Sequence, residues 1–190
     1  MGQFLKWLLN EGLIDDLLTP MSKDEVPSNW SKNADGSYDV DGDVDLRDRG
    51  LLELPFRFRK VTGNFSCTDN QLTNLEGSPD SVGGNFYCSN NKLTSLYGAP
   101  DSVGRNFDCE YNKLTNLEGA PDSVGRNFYC FYNQLTSLDG APNSVGGDFS
   151  CFNNQKKFSE EDVRKVCVVK GKIDVSGKDY FKTCFLKGVN

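Results

Sequence analysis

The chain has 190 residues, of which 37% are hydrophobic and 25% charged, and it contains no histidine. The length predicts one domain with appendages, and the lack of histidine excludes Ser–His and Cys–His nucleophile pairs, histidine-bound metals and imidazole acid–base catalysis. The formal net charge of −6 argues against a general nucleic-acid binder, because neutralising phosphates requires an excess of lysine and arginine.

Residues 1–34 are predicted to form an amphipathic helix and a lead-in to the rest of the chain. Apolar residues recur at helical spacing from residue 4 to residue 18, and Pro20 is expected to end the helix. The stretch is shorter than the roughly 20 apolar residues of a membrane-spanning helix, and it does not resemble a secretory signal. We therefore expect a soluble cytoplasmic protein with no membrane attachment, whose helix packs on the N-terminal end of the fold or docks onto a partner.

The acidic segment Asp39–Asp45 suggests calcium binding at first sight. An EF-hand loop needs glycine at its sixth position and an acidic ligand at its twelfth, and these positions hold Val44 and Gly50. The alternation instead favours a half-buried strand with a solvated acidic face. The apolar residues that alternate with the acids are Tyr38, Val40, Val44 and Leu46.

A repeat of 21 residues dominates the middle of the chain. Cysteines recur at this spacing at positions 67, 88, 109, 130 and 151, with phenylalanine, asparagine, leucine, proline and valine in register with them. The unit is F-x-C-x-x-N-x-L-T-x-L-x-G-x-P-x-x-V-G-x-x, and a degenerate copy precedes the five matches. A fixed period of this length is typical of solenoids, so we predict a mainly β repeat solenoid of about six coils over residues 35–154.

Each coil can be interpreted from side-chain alternation and turn chemistry. Phe86 and Cys88 point to one side of a short strand, while Asn91 turns the chain and satisfies backbone groups of the neighbouring coils. Gly98–Pro100 is incompatible with a helix, so the outer side of the coil is expected to be turn or polyproline-like. Gly83–Gly84 then makes the corner into the next strand.

The motif F-x-C-x-x-N-x-L resembles the leucine-rich repeat core L-x-L-x-x-N-x-L, with Phe and Cys in the two strand positions of leucine. The following L-x-G-x-P-x-x-V looks like the short outer side of bacterial leucine-rich repeats. Together with the lead-in Asp35–Val44, the combination is similar to 21-residue repeat proteins of phage and prophage genomes. This resemblance implies right-handed leucine-rich-repeat-like coils with a parallel sheet on the concave face. The residue patterns outside the repeats add an N-terminal helix, and a helix and strands as the C-terminal cap.

The five repeated cysteines are predicted to form a column of small buried side chains. They do not resemble a zinc site, which needs C-x2–4-C pairs that converge on one point, and stacked neighbours pointing the same way have poor geometry for a disulfide. Such a column suits a reducing compartment. Cys167 and Cys184 lie outside the column, and the sequence leaves open whether they pair. No metal or other cofactor is expected.

Residues 155–190 are predicted to cap the array. Ser159–Asp162 has the form of a capping box and begins a helix to about Val166, and strands are predicted over Val168–Val175 and Tyr180–Leu186. The region carries nine Lys/Arg against five acids, a net charge of +4, whereas residues 61–154 carry four against ten, a net charge of −6. We expect a solvated basic cap, with a surface for an acidic partner as the alternative.

The outward strand positions of the coils define the candidate binding surface. By the same resemblance, these positions line the concave face, and they vary between coils while the core positions barely change. Aromatic residues concentrate in three adjacent coils beside two arginines, a composition typical of interaction hot spots. The candidate partner-binding residues are Tyr87, Arg105, Asp108, Glu110, Tyr111, Arg126, Tyr129, Phe131, Tyr132 and Phe152. The alternative is that some of these rings only stack along the ladder and stabilise the sheet.

We predict no catalytic residues and no enzymatic activity. The sequence contains no phosphate-binding glycine loop, metal cluster or nucleophile–base pair, and Asp108 and Glu110 are interpreted as two solvated acids on an open strand face. An aromatic platform for single-stranded nucleic acid is disfavoured by the acidic array, and a carbohydrate site has no better support.

The sequence therefore predicts a non-enzymatic module that binds a protein partner through a concave aromatic and mixed-charge face. The family resemblance implies a phage protein that acts on a host factor in the host cytoplasm. The alternative is a structural virion or assembly component docked through the helix at 2–18 and the basic tail.

Overall fold

The computed structural model describes residues 27–178, which form a parallel-sheet β-solenoid of about seven turns with one short helix. The predicted helix at 2–18, the predicted strand Tyr180–Leu186 and Cys184 lie outside the described residues. The mainly β repeat architecture predicted from the 21-residue period is confirmed.

The described chain contains fifteen short strands and helix α1, Glu160–Val166. The strands are β1 (Trp30–Lys32), β2 (Tyr38–Val40), β3 (Val44–Asp45), β4 (Phe58–Val61), β5 (Phe65–Ser66), β6 (Ser81–Val82), β7 (Phe86–Tyr87), β8 (Ser102–Val103), β9 (Phe107–Asp108), β10 (Ser123–Val124), β11 (Phe128–Tyr129), β12 (Ser144–Val145), β13 (Phe149–Ser150), β14 (Val168–Val169) and β15 (Ile173–Asp174). The even-numbered strands form the first sheet, in which β1 pairs antiparallel with β2, and the odd-numbered strands from β3 to β15 form the second sheet.

Each repeat contributes one two-residue strand to each sheet, and this corrects the prediction for the outer side of the coil. That side was expected to be turn or polyproline-like, but Ser102–Val103 pairs in parallel with the Ser–Val strands of the coils on both sides. Val103 points into the core at 2% exposure while Ser102 is exposed. Two residues are too short a run for a period of two to be recognised, so the sequence pattern predicted one sheet and the structure contains two.

The core consists of columns of identical side chains stacked one coil apart. The rings of Phe86 and Phe107 are nearly parallel, with centroids 5.3 Å apart, and Phe107 and Phe128 continue the stack at 5.4 Å. The predicted cysteine column is confirmed, because all five repeated cysteines are buried free thiols, and Cys167 is a sixth. Burial raises the pKa of Cys67 to about 12 and places those of the three central repeat thiols well above their usual value. These thiols therefore stay protonated at neutral pH and are poor nucleophiles.

The predicted asparagine ladder is confirmed. The Asn112 side-chain oxygen accepts a hydrogen bond from the Leu93 backbone N–H of the preceding coil at 3.0 Å. Its amide donates to the carbonyl oxygens of Cys88 in that coil, at 3.0 Å, and of Cys109 in its own coil, at 3.2 Å. Each such asparagine thus ties two coils together through backbone groups that the turn leaves open.

A second asparagine ladder, which the sequence analysis missed, runs along the corner before the second sheet. The backbone N–H of Asn106 donates to the Asn85 side-chain oxygen at 3.0 Å, and that of Asn127 donates to the Asn106 side-chain oxygen at 3.1 Å. The signal was present in the sequence, because asparagine recurs every 21 residues at positions 64, 85, 106 and 127.

The glycine corner predicted before the repeat strand is confirmed by close backbone approach, and it joins the two strands of each coil. A Cβ added to Gly104 would lie 2.2 Å from the carbonyl oxygen of Gly83 in the preceding coil. No other residue fits there without moving the backbone, so glycine at this position allows the coils to stack at sheet spacing.

The solenoid continues beyond Asn154 instead of stopping there. The capping box is confirmed, since the Ser159 hydroxyl accepts from the Asp162 N–H and the Asp162 carboxylate accepts from the Ser159 N–H. After α1, strands β14 and β15 pair in parallel with β12 and β13, and Phe149 lies opposite Ile173. The single strand predicted over Val168–Val175 is therefore wrong, because the segment turns between the two sheets to make a seventh turn.

The acidic lead-in also divides between the sheets. The prediction that the apolar residues of this segment point into the core is confirmed for Val40 and Val44, which are both buried. They belong to two strands, β2 and β3, and not to the single strand that was predicted. Asp39 accepts hydrogen bonds from the Arg59 guanidinium. Within residues 27–178, no group of three or more potential ligands is placed to hold a metal ion. In the same part of the chain, no helix has the length and apolar character needed to cross a membrane.

Candidate functional site

The outward positions of the second sheet bring most of the candidate residues together. Tyr87, Asp108 and Tyr129 are direct neighbours in the parallel register of β7, β9 and β11. Glu110 and Phe131 follow Asp108 and Tyr129 by two residues in their coils. The next residue in each of these coils, Tyr111 or Tyr132, lies in the turn after the strand. We call this surface the aromatic face; its residues are Tyr87, Asp108, Glu110, Tyr111, Tyr129, Phe131, Tyr132 and Phe152.

The two candidate arginines lie at the edge of this surface. Arg105 and Arg126 are exposed at the corners before β9 and β11, and their backbones pair with each other between coils at 2.9 Å. Within residues 27–178, neither guanidinium forms an ion pair with a residue of the aromatic face or stacks on one of its rings. The structure therefore places them as flanking charges.

Phe131 and Phe152 correct the prediction of exposed aromatic residues, because they are only 1% and 3% exposed. Their rings are stacked with centroids 4.4 Å apart. The seventh turn covers the end of this stack, where a Cβ on Gly177 would lie 2.9 Å from a Phe152 ring carbon. For Phe131 and Phe152, the structure therefore supports the alternative to partner binding, in which the rings stack between coils and stabilise the sheet.

Tyr111 and Tyr132 occupy a strained backbone position. Both have φ of +51°, in the left-handed region, where the equivalent residues of the other coils are Asp48, Asp69, Asn90 and Asn153. Asparagine and aspartate tolerate this conformation, whereas a bulky side chain is an outlier there. The two tyrosine rings stack with centroids 4.5 Å apart, and Tyr111 is 46% exposed. Asn or Asp at the other four copies was the sequence signal for this strain, and it was missed.

Asp108 and Glu110 are not the two solvated acids expected from the sequence. Both are half-buried, with Asp108 between two tyrosines and Glu110 beside the buried Phe131. Burial raises the pKa of Asp108 to about 6. Burial, and then the negative charge of Asp108, raise the pKa of Glu110 to about 8. At neutral pH the pair therefore holds roughly one proton, mainly on Glu110.

Tyr129 is held in place by the second asparagine ladder. Its hydroxyl oxygen accepts a hydrogen bond from the Asn127 side-chain amide at 2.7 Å, and its ring meets that of Phe131 edge-on at 6.0 Å. Burial raises the pKa of Tyr129 above its usual value. The ring is thus pre-positioned on its own strand, which reduces the entropy that a binding partner would have to overcome.

We predict that the buried acids make stability fall as pH rises. Because the folded pKa of Glu110 is about 8 against an ordinary value of 4.5, the folded state keeps a proton that the unfolded state has lost, so its stabilising contribution disappears as pH rises through about 8. We expect the free energy of unfolding to drop by about 2 kcal/mol between roughly pH 5 and pH 7.5, allowing for partial solvent screening. Urea denaturation across this range measures it.

The matched control for the pH experiment is the double variant Asp108→Asn/Glu110→Gln, which removes both titrating groups and keeps their shape. We expect its stability to be nearly constant from roughly pH 5 to pH 7.5, below the range in which the thiols of the unfolded chain ionise. An equal slope in the variant and the wild type would assign the pH dependence to other groups.

The aromatic face therefore combines partly exposed tyrosines, a strained turn and a half-buried carboxyl pair. In residues 27–178, the thiols are buried in the core, so this surface offers hydrogen bonds, ring contacts and negative charge. Compared with known proteins, the chain matches no family model, no curated protein and no solved structure.

Proposed function

We propose that the protein is a non-enzymatic interaction module that binds another protein through the aromatic face. The observation that carries this proposal is the strained pair Tyr111 and Tyr132, which takes the place of Asn or Asp in the other coils. Asparagine would relieve the strain, at the cost of the stack between the two tyrosine rings. Backbone strain of this kind is concentrated at functional positions, where side-chain identity matters more than local stability.

The composition of the face supports the same proposal. Tyrosine supplies a large contact area with few rotatable bonds, and it is enriched in the residues that dominate binding energy. Tyr87, Tyr129 and Tyr132 are partly exposed and Tyr111 is exposed, all on adjacent coils. The flanking Arg105 and Arg126 add charge at the rim, where charged groups mainly affect association rate and partner choice.

The kind of partner is proposed from the repeat motif alone. Its resemblance to the 21-residue repeats of phage and prophage proteins supports a host protein in the host cytoplasm as the target. The second candidate function, a structural virion or assembly component docked through residues 2–18 and the basic tail, is favoured by the exposed cations of the seventh turn. These are Lys156, Lys157, Arg164, Lys165, Lys170 and Lys172.

We predict that the double variant Tyr111→Asn/Tyr132→Asn loses partner binding by at least about tenfold while keeping its stability. Relief of left-handed strain, roughly 1 kcal/mol per residue, offsets the lost ring stack of about 1 kcal/mol. The partner is first identified by affinity capture with wild type from host lysate. Calorimetric titration of the purified partner and thermal denaturation then measure the two effects.

The matched control is Tyr97→Asn, since Tyr97 is 62% exposed but lies outside the aromatic face. We expect this variant to bind like the wild type. Unchanged binding by the Tyr111/Tyr132 variant, with loss of binding in Lys156→Glu/Arg164→Glu, would replace the proposal with the structural alternative.

A further inference from the structure

The carboxyl pair of the aromatic face lacks a counter-charge in the described structure. Within residues 27–178, no lysine or arginine forms an ion pair with Asp108 or Glu110. Among residues 27–178, these two side chains form one hydrogen bond, in which the Asp108 carboxylate accepts from the Glu110 backbone N–H at 3.1 Å. Two half-buried acids are thus held among aromatic rings with most of their acceptor capacity unused.

We propose that the aromatic face recognises a lysine or arginine side chain of its protein partner, seated between Tyr87 and Tyr129 over Asp108 and Glu110. This inference rests on the proposed function and deepens it, because it specifies the chemistry that the partner must present.

The register of the second sheet gives this site suitable dimensions. Tyr87 and Tyr129 lie one strand on either side of Asp108, so their backbones are two strand spacings, about 10 Å, apart. A cation over Asp108 lies about one strand spacing, roughly 5 Å, from the strand of each tyrosine, which leaves both rings room to approach it to the roughly 6 Å centroid distance of cation–π attraction. Glu110 points to the same side of its strand as Asp108, because the residue between them, Cys109, is buried in the core.

Charge complementarity selects a cation over other occupants. An anionic side chain would meet two acids in a coil array of net charge −6, and an apolar side chain would desolvate the carboxyl groups further without a partner. A cation instead supplies the missing ion pair while its alkyl stem packs against the rings. Arginine offers in addition a planar group that stacks on tyrosine and reaches two carboxylate oxygens.

Proton release is the expected signature of this recognition. A bound cation favours the ionised carboxylates, whose pKa values burial raises in the free protein, so binding strengthens as pH increases. The groups that face the pair from flanking strands are Tyr87 and Tyr129, with Asp148 one coil further and Tyr111 next to Glu110. The pKa of Tyr129 is raised above 10, so Glu110 is expected to set the pH response near 8.

A second source of the same chemistry exists within the chain. Residues 179–190 include Lys182 and Lys187. The described chain ends at Lys178, directly after Gly177, which lies against the Phe152 ring two coils away from Glu110. The experiment must therefore distinguish a cation supplied by a partner protein from a lysine of residues 179–190.

The test titrates the full-length chain with four capped peptides of the form Gly-Ser-X-Ser-Gly, in which X is Lys, Arg, Gln or Glu. NMR signals of the Glu110 carboxyl group and the Tyr87 ring report binding. Near pH 8.5, the Lys and Arg peptides are expected to bind at least about fivefold more tightly than the Gln peptide. Asp108→Asn/Glu110→Gln should abolish this preference. The charge-matched control Asp101→Asn/Asp122→Asn, which removes two exposed acids outside the aromatic face, should retain it.

Four results would overturn the inference. Equal binding of the Gln and Lys peptides would show that charge is not recognised, and equal loss in the control variant would assign the preference to the overall field. Lys-peptide binding about fivefold tighter in Lys182→Gln/Lys187→Gln than in wild type would show that the tail occupies the site. If the identified partner still binds Asp108→Asn/Glu110→Gln but not Tyr111→Asn/Tyr132→Asn, the cation chemistry fails and the proposed function stands; if it binds both variants, the proposed function fails.

Discussion

Replacing Phe107 with alanine is expected to destabilise the solenoid by about 4 kcal/mol. Phe107 is fully buried and its ring is stacked between those of Phe86 and Phe128. Truncation removes the transfer free energy of the ring and leaves a cavity that two-residue strands held by both neighbours cannot close. Urea denaturation of the wild type and the variant measures the difference in free energy of unfolding.

The control for this prediction is Tyr97→Ala, an aromatic truncation in the same array at a position that is 62% exposed. Its expected cost is below about 0.5 kcal/mol. Comparable losses in the two variants would mean that the stacked phenylalanine column does not dominate the stability of the coils.

Replacing Asn112 with alanine is expected to cost about 3 kcal/mol, because the substitution breaks several buried hydrogen bonds at once. The Cys88 carbonyl keeps a second partner in the Asn91 amide, and the Cys109 carbonyl keeps one in the Asn133 amide. The Leu93 N–H, however, loses the Asn112 oxygen that it reaches at 3.0 Å. An unsatisfied buried donor carries the full penalty of desolvation, so this single group accounts for a large part of the loss.

Asn116→Ala is the matched control in the same coil. The Asn116 side chain also accepts one backbone hydrogen bond, from Glu118, but it does so at an exposed turn where water replaces it. We expect a loss of about 0.5 kcal/mol. A cost for Asn112→Ala as small as that of the control would contradict the ladder as a source of stability between coils.

Phe107→Ala and Asn112→Ala both change the buried columns that hold the coils together, and neither changes a residue of the aromatic face. The phenylalanine, cysteine and asparagine columns hold successive coils together without using any outward position of the second sheet. Outward residues can therefore differ from coil to coil at small cost, which is how one repeat can carry serine, tyrosine or aspartate at the same strand position. Tyr111 and Tyr132 are exceptions to this small cost, because their backbone must adopt the left-handed conformation of the turn, which is unfavourable for tyrosine.

The predictable part of the candidate site is its location, and the unpredictable part is the state of its side chains. Alternation within a strand placed Tyr87, Asp108 and Tyr129 on one outward surface, and the structure confirms this placement. It could not show that Phe131 and Phe152 stack under the seventh turn, because the segment that covers them follows the repeat and departs from its pattern. Nor could it show that Asp108 and Glu110 are half-buried, since burial depends on the rings of the adjacent coils.

The sequence by itself determined the period, the buried columns and the asparagine ladder. In a solenoid, equivalent residues of successive coils stack on one another, so a repeat in the sequence is also a repeat in space. Only the tertiary structure decided that the Ser–Val segments form a second sheet, that Ile173 continues the register as a seventh turn, and that Glu110 keeps its proton at neutral pH. These features depend on contacts between coils, or between a coil and the segment after the repeat. Such contacts set the pairing of two-residue strands and the solvation of a carboxyl group, and no single repeat records them.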